Sequence, residues 1–220
     1  MHFGASVPRD RRRPLAHGDA IASCDDGAMI RTARLLMRRW REDDRAPFGA
    51  LNADPAVMEH MTTALTREQS DAFMDRVEAC WDERGFGLWA VEVPEVVPFI
   101  GYVGLSPADA EVGAGTVEVG WRLARDHWGN GYASEAAHEA MRFGFEQVGL
   151  DEIVSFTVPQ NERSLRVMER IGLRRDPGGD FDHPRVDPVT HPELVRHVLY
   201  RIGHAEWERF ARAVADVGHQ

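Results

Sequence analysis

The chain contains no lysine; all 26 of its basic residues are arginines. That absence excludes a Walker-type phosphate loop, which needs a lysine beside its glycines, and any Schiff-base chemistry on a lysine amine. Cysteine is scarce. Cys24 and Cys80 are too few for a disulfide framework and fit a reducing cytoplasm. No apolar run approaches a membrane span and no signal-peptide pattern opens the sequence, so no membrane partner is expected. An excess of positive charge is also missing. The formal charge of −10 over 220 residues argues against a nucleic-acid partner.

What remains is an ordinary globular composition, 43% hydrophobic and 28% charged, in a length that suits one domain. Residues 1–29 have no apolar period and read as a disordered extension, with Met29 a conceivable start. A domain is expected over 30–205 and a terminal helix over 206–220. Within that helix Trp207, Phe210, Ala211 and Val214 share one face.

RTARLLMRRW alternates like a strand, and EDDRAPFGALNAD reads as a short helix. Thr66 with Gln69 three residues on forms a capping box, followed by an apolar stripe of Phe73, Val77 and Trp81. GLWAVEV, FIGYVGLSP and TVEVGWRLA, separated by turns, predict an antiparallel meander. YASEAAHEAMRFGFEQVG predicts a helix, EIVSFTVP a buried strand, NERSLRVMERIG a helix closed by Gly172, and RHVLYRI a last strand. The fold class is therefore α/β (α+β): a mixed, mostly antiparallel sheet of six to seven strands flanked by helices. Trp40, Trp81, Trp89 and Trp121 read as core, with a groove-lining role as the alternative.

The stretch RDHWGNGYASEAA joins a strand to a helix within a βαβ crossover. Its two glycines bracket the helix start, where free N–H groups and the helix dipole favour an anion. Arg125 adds a candidate charged contact. A simple tight turn is the competing reading. No G-x-G-x-x-G occurs, because Ser134 stands where the third glycine would be.

WGNGYASEA, with NERSLRVMERIGL thirty residues later, resembles the acetyl-CoA-binding half of a GNAT-superfamily N-acetyltransferase, and within it the RimJ/RimL-like group. The opening strand resembles that group too, and the resemblance spans about Ile30 to Ile202. It implies that Trp128, Gly129, Asn130, Gly131, Tyr132 and Ala133 hold the pyrophosphate of coenzyme A. Trp128 departs from the family's usual Gln or Arg. Asn161 is implied to meet the pantetheine arm. Trp121, Arg125 and Ser164 complete the expected coenzyme A set.

The implied reaction moves an acetyl group from acetyl-CoA to a primary amine, on a protein N-terminus or a small molecule. Two alternatives stand beside it: an acyl-CoA-binding module without turnover, and transfer of a longer acyl group. An amine protonated at neutral pH needs a base. Glu118 is the first candidate, since it points away from Val117 and Val119 on its strand; a solvated surface carboxylate is the other reading. Relatives often place an acidic tyrosine where this chain has Met168, which cannot donate a proton. Ser164, one turn earlier, is the candidate substitute, unless it merely caps the helix. The oxyanion donor is expected to be a backbone N–H near Gly120 or Trp121.

The loop from Asp176 to Val195 has no period and carries Asp180, Asp182, His183, Asp187, His191 and Glu193. Such an acidic loop suits a cationic amine. His183 reads as a second base or as a structural hydrogen-bonding group. His183, His191 and His197 match no zinc spacing, so no metal is expected. The assembly is expected to be a monomer or homodimer.

Overall fold

The structure, a computed structural model, describes residues 29–217 apart from 109 and 114. The expected extension before Met29, and Cys24 within it, lie outside the described residues. In chain order the elements are β1 (Ile30–Arg31), β2 (Leu36–Arg38), α1 (Arg45–Ala53), α2 (Arg67–Arg84), β3 (Leu88–Val93), β4 (Val97–Pro107) and β5 (Val117–Leu123). Then come α3 (Tyr132–Phe143), β6 (Glu152–Thr157), α4 (Glu162–Arg170), β7 (Arg174–Arg175), β8 (Phe181–Asp182), α5 (Pro192–Val195), β9 (Arg196–Gly203) and α6 (His204–Val217).

The strands form one sheet in the order β1-β2-β3-β4-β5-β6-β9-β7, with β8 also pairing β9. Every pairing is antiparallel except β5 with β6, the two strands joined by the α3 crossover. The expected meander is β3, β4 and β5. Gly101, at φ 131°, kinks β4 beside the register shift against β3. A Cβ there would lie 2.1 Å from the Arg122 carbonyl oxygen, so only glycine fits.

Local signals hold where the chemistry is local. Gln69 N–H donates to Thr66 Oγ1, and Thr66 N–H donates back to Gln69 Oε1, closing the expected capping box of α2. Trp40, Phe48, Phe73, Phe99 and Tyr102 form one aromatic cluster beneath α1 and α2. Of the four tryptophans read as core, Trp40, Trp81 and Trp89 are buried, while Trp121 is half-buried. Beside the cluster Arg38, 4% exposed, forks onto Asp44, which is 2% exposed, at 2.7 and 2.9 Å. Arg38 also bonds Glu92 and the Pro98 carbonyl, so this buried charge has partners on several donors.

Three expectations need correction. The opening segment is two strands, because Thr32 turns the chain: its Oγ1 accepts from Leu35 N–H at 2.9 Å. The loop after Asp176 contains β8 and α5, and β7 precedes it, all against β9. Val214 is 49% exposed, although Trp207 on the same helix is buried against His138 and Phe145.

Candidate active site

The β5–β6 pairing is short. Val117 opposes Ile153 and Glu118 opposes Val154, and no pair follows. Beyond that point the strands part around a cleft of about 710 Å³ that runs past the glycine loop and the start of α4. Ala124 N–H donates to Ile100 C=O and Ala108 N–H to Thr116 C=O, which fixes the alternation of the β4–β5 ladder. Even-numbered residues of β5, Gly120 included, bond to β4. Odd-numbered ones turn their peptide groups toward β6. The N–H and C=O of Trp121 therefore face the gap.

At the far end of β5 the loop bends through Gly129 at φ 78° and Gly131 at φ 81°, left-handed values suited to glycine. The helix that follows has no side-chain cap, whereas Thr66 caps α2 and Asn161 caps α4. The first N–H groups of α3 are thus without a side-chain acceptor, where the helix dipole is positive. Ser134 Oγ in the same turn is buried with no hydrogen-bond partner, and Ser134 lines the cleft. An uncapped helix start beside open space suits phosphate oxygens, and the buried Ser134 hydroxyl in that turn still lacks an acceptor.

The loop is braced on both sides. Trp128 Nε1 donates to the Leu123 carbonyl at 2.8 Å, and Arg163 of α4 lies 4.6 Å over the Trp128 ring. Asn130 Nδ2 bonds back to the His127 and Trp128 carbonyls, so its side chain shapes the loop. From the β1–β2 turn, Arg34 donates to the Asn130 carbonyl at 2.9 Å and to Glu135 at 2.7 Å, and lies over Tyr132. That clamp joins residues about a hundred positions apart, and no local sequence signal announces it.

Of the residues expected at the site, Glu118, Trp121, Trp128, Gly129, Gly131 and Tyr132 line the cleft, as do Ala133, Asn161, Ser164 and His183. Arg125 is exposed on the turn before the loop and does not line it. Asn130 is absent from the lining for the reason just given. The Asn161 amide is committed internally: Oδ1 accepts from Ser164 N–H at 3.2 Å, and Nδ2 donates to Thr157 Oγ1 at 3.0 Å. Asn161, then, is the cap of α4. Ser164, for which capping was the competing reading, lines the cleft and donates its N–H to the Asn161 cap. Met168, 1% exposed, occupies the wall one turn on.

The acidic loop also differs from its sequence reading. Asp180 pairs with Arg175, Asp182 with Arg196, and Asp176 with Arg201, while Asp187 accepts from Val189 N–H. None of these carboxylates lines the cleft. The loop offers His183 and Arg185 instead, with His183 packed 4.8 Å from His197. Although the chain is acidic, the lining holds five arginines against two glutamates.

Sequence reasoning missed Arg122. It shares a strand face with Glu118, four residues earlier, and that parity was the available signal. Arg122 Nη1 donates to Asn52 Oδ1 at 2.6 Å, and Asn52 Nδ2 donates to Ser70 Oγ at 3.1 Å. Asn52 and Ser70 are fully buried. The guanidinium lies 5.6 Å over the Tyr102 ring. Burial pushes the Tyr102 phenol above its ordinary value, with Arg122 opposing and Glu118 reinforcing the shift. Tyr102 therefore stays protonated at neutral pH.

Residues 34–174 match the family described as the acetyltransferase (GNAT) domain. The chain is 33% identical over 145 residues to the uncharacterised protein YkkB of Bacillus subtilis (strain 168), covering 64% of this chain and 83% of that one. It is 30% identical over 148 residues to the uncharacterised N-acetyltransferase YnaD of the same organism, covering 67% and 83%. A GNAT-family acetyltransferase structure from Bacillus anthracis superposes with a TM-score of 0.66 at 26% identity, over 80% of this chain and 99% of that one. The family match and the superposed fold agree, and the chain belongs to the GNAT acetyltransferase family as an acyltransferase.

Proposed function

We propose that the protein transfers the acetyl group of acetyl-CoA directly to a primary amine. The observation that carries this reading is the uncapped start of α3, with left-handed Gly129 and Gly131 and the orphaned Ser134 hydroxyl at one end of the cleft. Backbone N–H groups at 129–133 hold the pyrophosphate, and the arm runs along α4 into the gap between β5 and β6. A solved relative by fold, the microcin C7 self-immunity acetyltransferase MccE at 10% identity, is described in complex with acetyl-CoA and AMP.

In this reading Glu118 removes a proton from the ammonium form of the acceptor, directly or through water. The amine lone pair attacks the thioester carbonyl, whose developing oxyanion accepts from Trp121 N–H. The C–S bond then breaks with its electron pair leaving on sulfur, and the nitrogen gives up its remaining extra proton to solvent, which leaves a neutral amide. Ser164, beside Met168 on the cleft wall, is positioned to supply the thiolate proton. His183 stands at the acceptor end as a second base. Arg125 contributes nothing directly to this assignment. The RimJ/RimL-like assignment rests on WGNGYASEA and NERSLRVMERIGL, and a protein N-terminus is the acceptor it implies.

The test is thiol release from acetyl-CoA and longer acyl-CoAs against a panel of amines and N-terminal peptides. Release with acetyl-CoA that requires an amine supports the proposal. Tight acetyl-CoA binding with no release for any amine overturns it in favour of a binding module. In the active pairing, Glu118→Gln is expected to lower kcat about 100-fold and to remove the acidic limb of the pH profile.

A further inference from the structure

We infer that the acceptor amine also carries an anionic group and that Arg122 binds it. This rests on the acetyl-transfer reading above and names the substrate class for the same site.

Position comes first. Arg122 and Tyr102 face α1 and α2, since Arg122 bonds Asn52 and Tyr102 packs on Phe48 and Phe73. The opposite face of the sheet carries Leu105 against Gly144, at the end of α3. The phosphate cradle belongs to that helix. Arg122 thus lies across the parted strands from the place where coenzyme A presents its own phosphates. Its charge serves whatever enters from the other side.

Electrostatics comes second. Arg122 has no carboxylate within ion-pair distance among the described residues. Asn52 takes one of its five N–H donors, and the thioether of Met61, at 3.6 Å, weakly takes a second. Nε is buried without a partner. Met61, Phe73 and Tyr102 line the cleft with Arg122, and the Glu59 carboxylate two residues before Met61 pairs with Arg163. A half-buried guanidinium held in place without a counter-charge is poised to take one from a ligand. The fully buried Asn52–Ser70 pair spends its hydrogen bonds on holding the guanidinium. A site selecting a simple cationic amine would be weakened by this charge.

Glu118 lies on the same strand face, about 13 Å away at the Cα level for four residues of strand. One end of the acceptor then presents an ammonium to Glu118 and the other an anion to Arg122. Carboxylate and phosphate monoester share this chemistry.

The experiment uses the full chain, acetyl-CoA and matched acceptors: amino acids and dipeptides against their carboxamides, and aminoalkyl phosphates against the parent amino alcohols. The expected result is a kcat/KM about 10- to 100-fold higher for the anionic member of the pair, and the two arms identify carboxylate or phosphate. Arg122→Met is expected to reduce that preference to within about threefold by raising the acceptor KM, with the acetyl-CoA KM unchanged. Arg122→Lys should retain part of the preference. The wild-type comparison needs no variant, so a poorly folded substitution leaves the test intact. Equal rates for anionic and neutral members overturn the Arg122 assignment while acetyl transfer stands. An Arg122→Met loss shared equally by both members overturns it too. Absence of thiol release with every amine overturns acetyl transfer and this inference with it.

Discussion

Gly129→Ala separates the loop's backbone geometry from its role as an anion cradle. Gly129 sits at φ 78°, and a Cβ built there meets no protein atom within 4 Å. The protein therefore registers only the left-handed strain of an L-residue, about 1–2 kcal/mol, partly offset by about 0.4–1 kcal/mol from a less flexible unfolded chain. A net loss of about 1 kcal/mol lowers Tm by about 2–4 °C in a chain of this size. The methyl group would occupy open space at a residue that lines the cleft, where the phosphate oxygens are proposed to approach the backbone. Displacing one charge-assisted hydrogen bond costs about 1.5–3 kcal/mol, so acetyl-CoA affinity should fall about 10- to 100-fold by calorimetric titration. Gly131→Ala is a poorer probe, because its Cβ would also meet Arg34 Nη2 at 3.4 Å. An alanine at 129 with the expected small Tm loss and wild-type acetyl-CoA affinity would refute the cradle.

Asn161→Ala should cost about 1 kcal/mol in denaturant unfolding through loss of the α4 cap, while Ser164→Ala should cost under about 0.5 kcal/mol and act on kcat; the reverse ordering removes Ser164 from the mechanism. Asp44→Ala leaves the buried Arg38 with a weakened set of partners, so a loss of about 3–5 kcal/mol is expected in urea unfolding. Burial alone would raise the Asp180 carboxyl, yet the hydrogen bonds from Arg175 and from Leu199 N–H hold it below the ordinary aspartate value. Its folded pKa is depressed, so its stabilisation is complete above about pH 5 and fades as pH falls below about 3.9 and through the folded value. The stability gap between wild type and Asp180→Asn should close in that same window, and a gap constant down to pH 2 contradicts the assignment.

What the sequence disclosed depended on distance along the chain. The Thr66–Gln69 box, the β3–β5 meander and the glycine loop at a strand-to-helix junction involve neighbours or a single crossover, and each appears where the pattern put it. The Thr32 turn was hidden because the apolar run Leu35, Leu36 and Met37 reads as strand whether or not the chain turns before it. Its value lies in Arg34 reaching Asn130 and Glu135, a contact no local period encodes. Arg122 was overlooked for a related reason: on a strand one arginine reads as solvated, and only the α1 and α2 residues Asn52 and Ser70 show that it is held. The Asp176–Val195 loop looked acidic because composition counts carboxylates without their partners. Once β9 supplies Arg196 and Arg201, and β7 supplies Arg175, those charges are spent on anchoring.

The short β5–β6 register has a mechanical consequence. A sheet ordinarily confines its unbonded peptide groups to its two outer edges, yet here a third edge opens in the middle, at Trp121. The strands β1–β5 and the strands β6–β9 therefore meet through a backbone ladder of only two residue pairs among the described residues. A co-substrate arm lying in that opening touches both sides at once. In the proposed reading it bridges the side bearing Glu118 and Arg122 and the side whose loop bears His183.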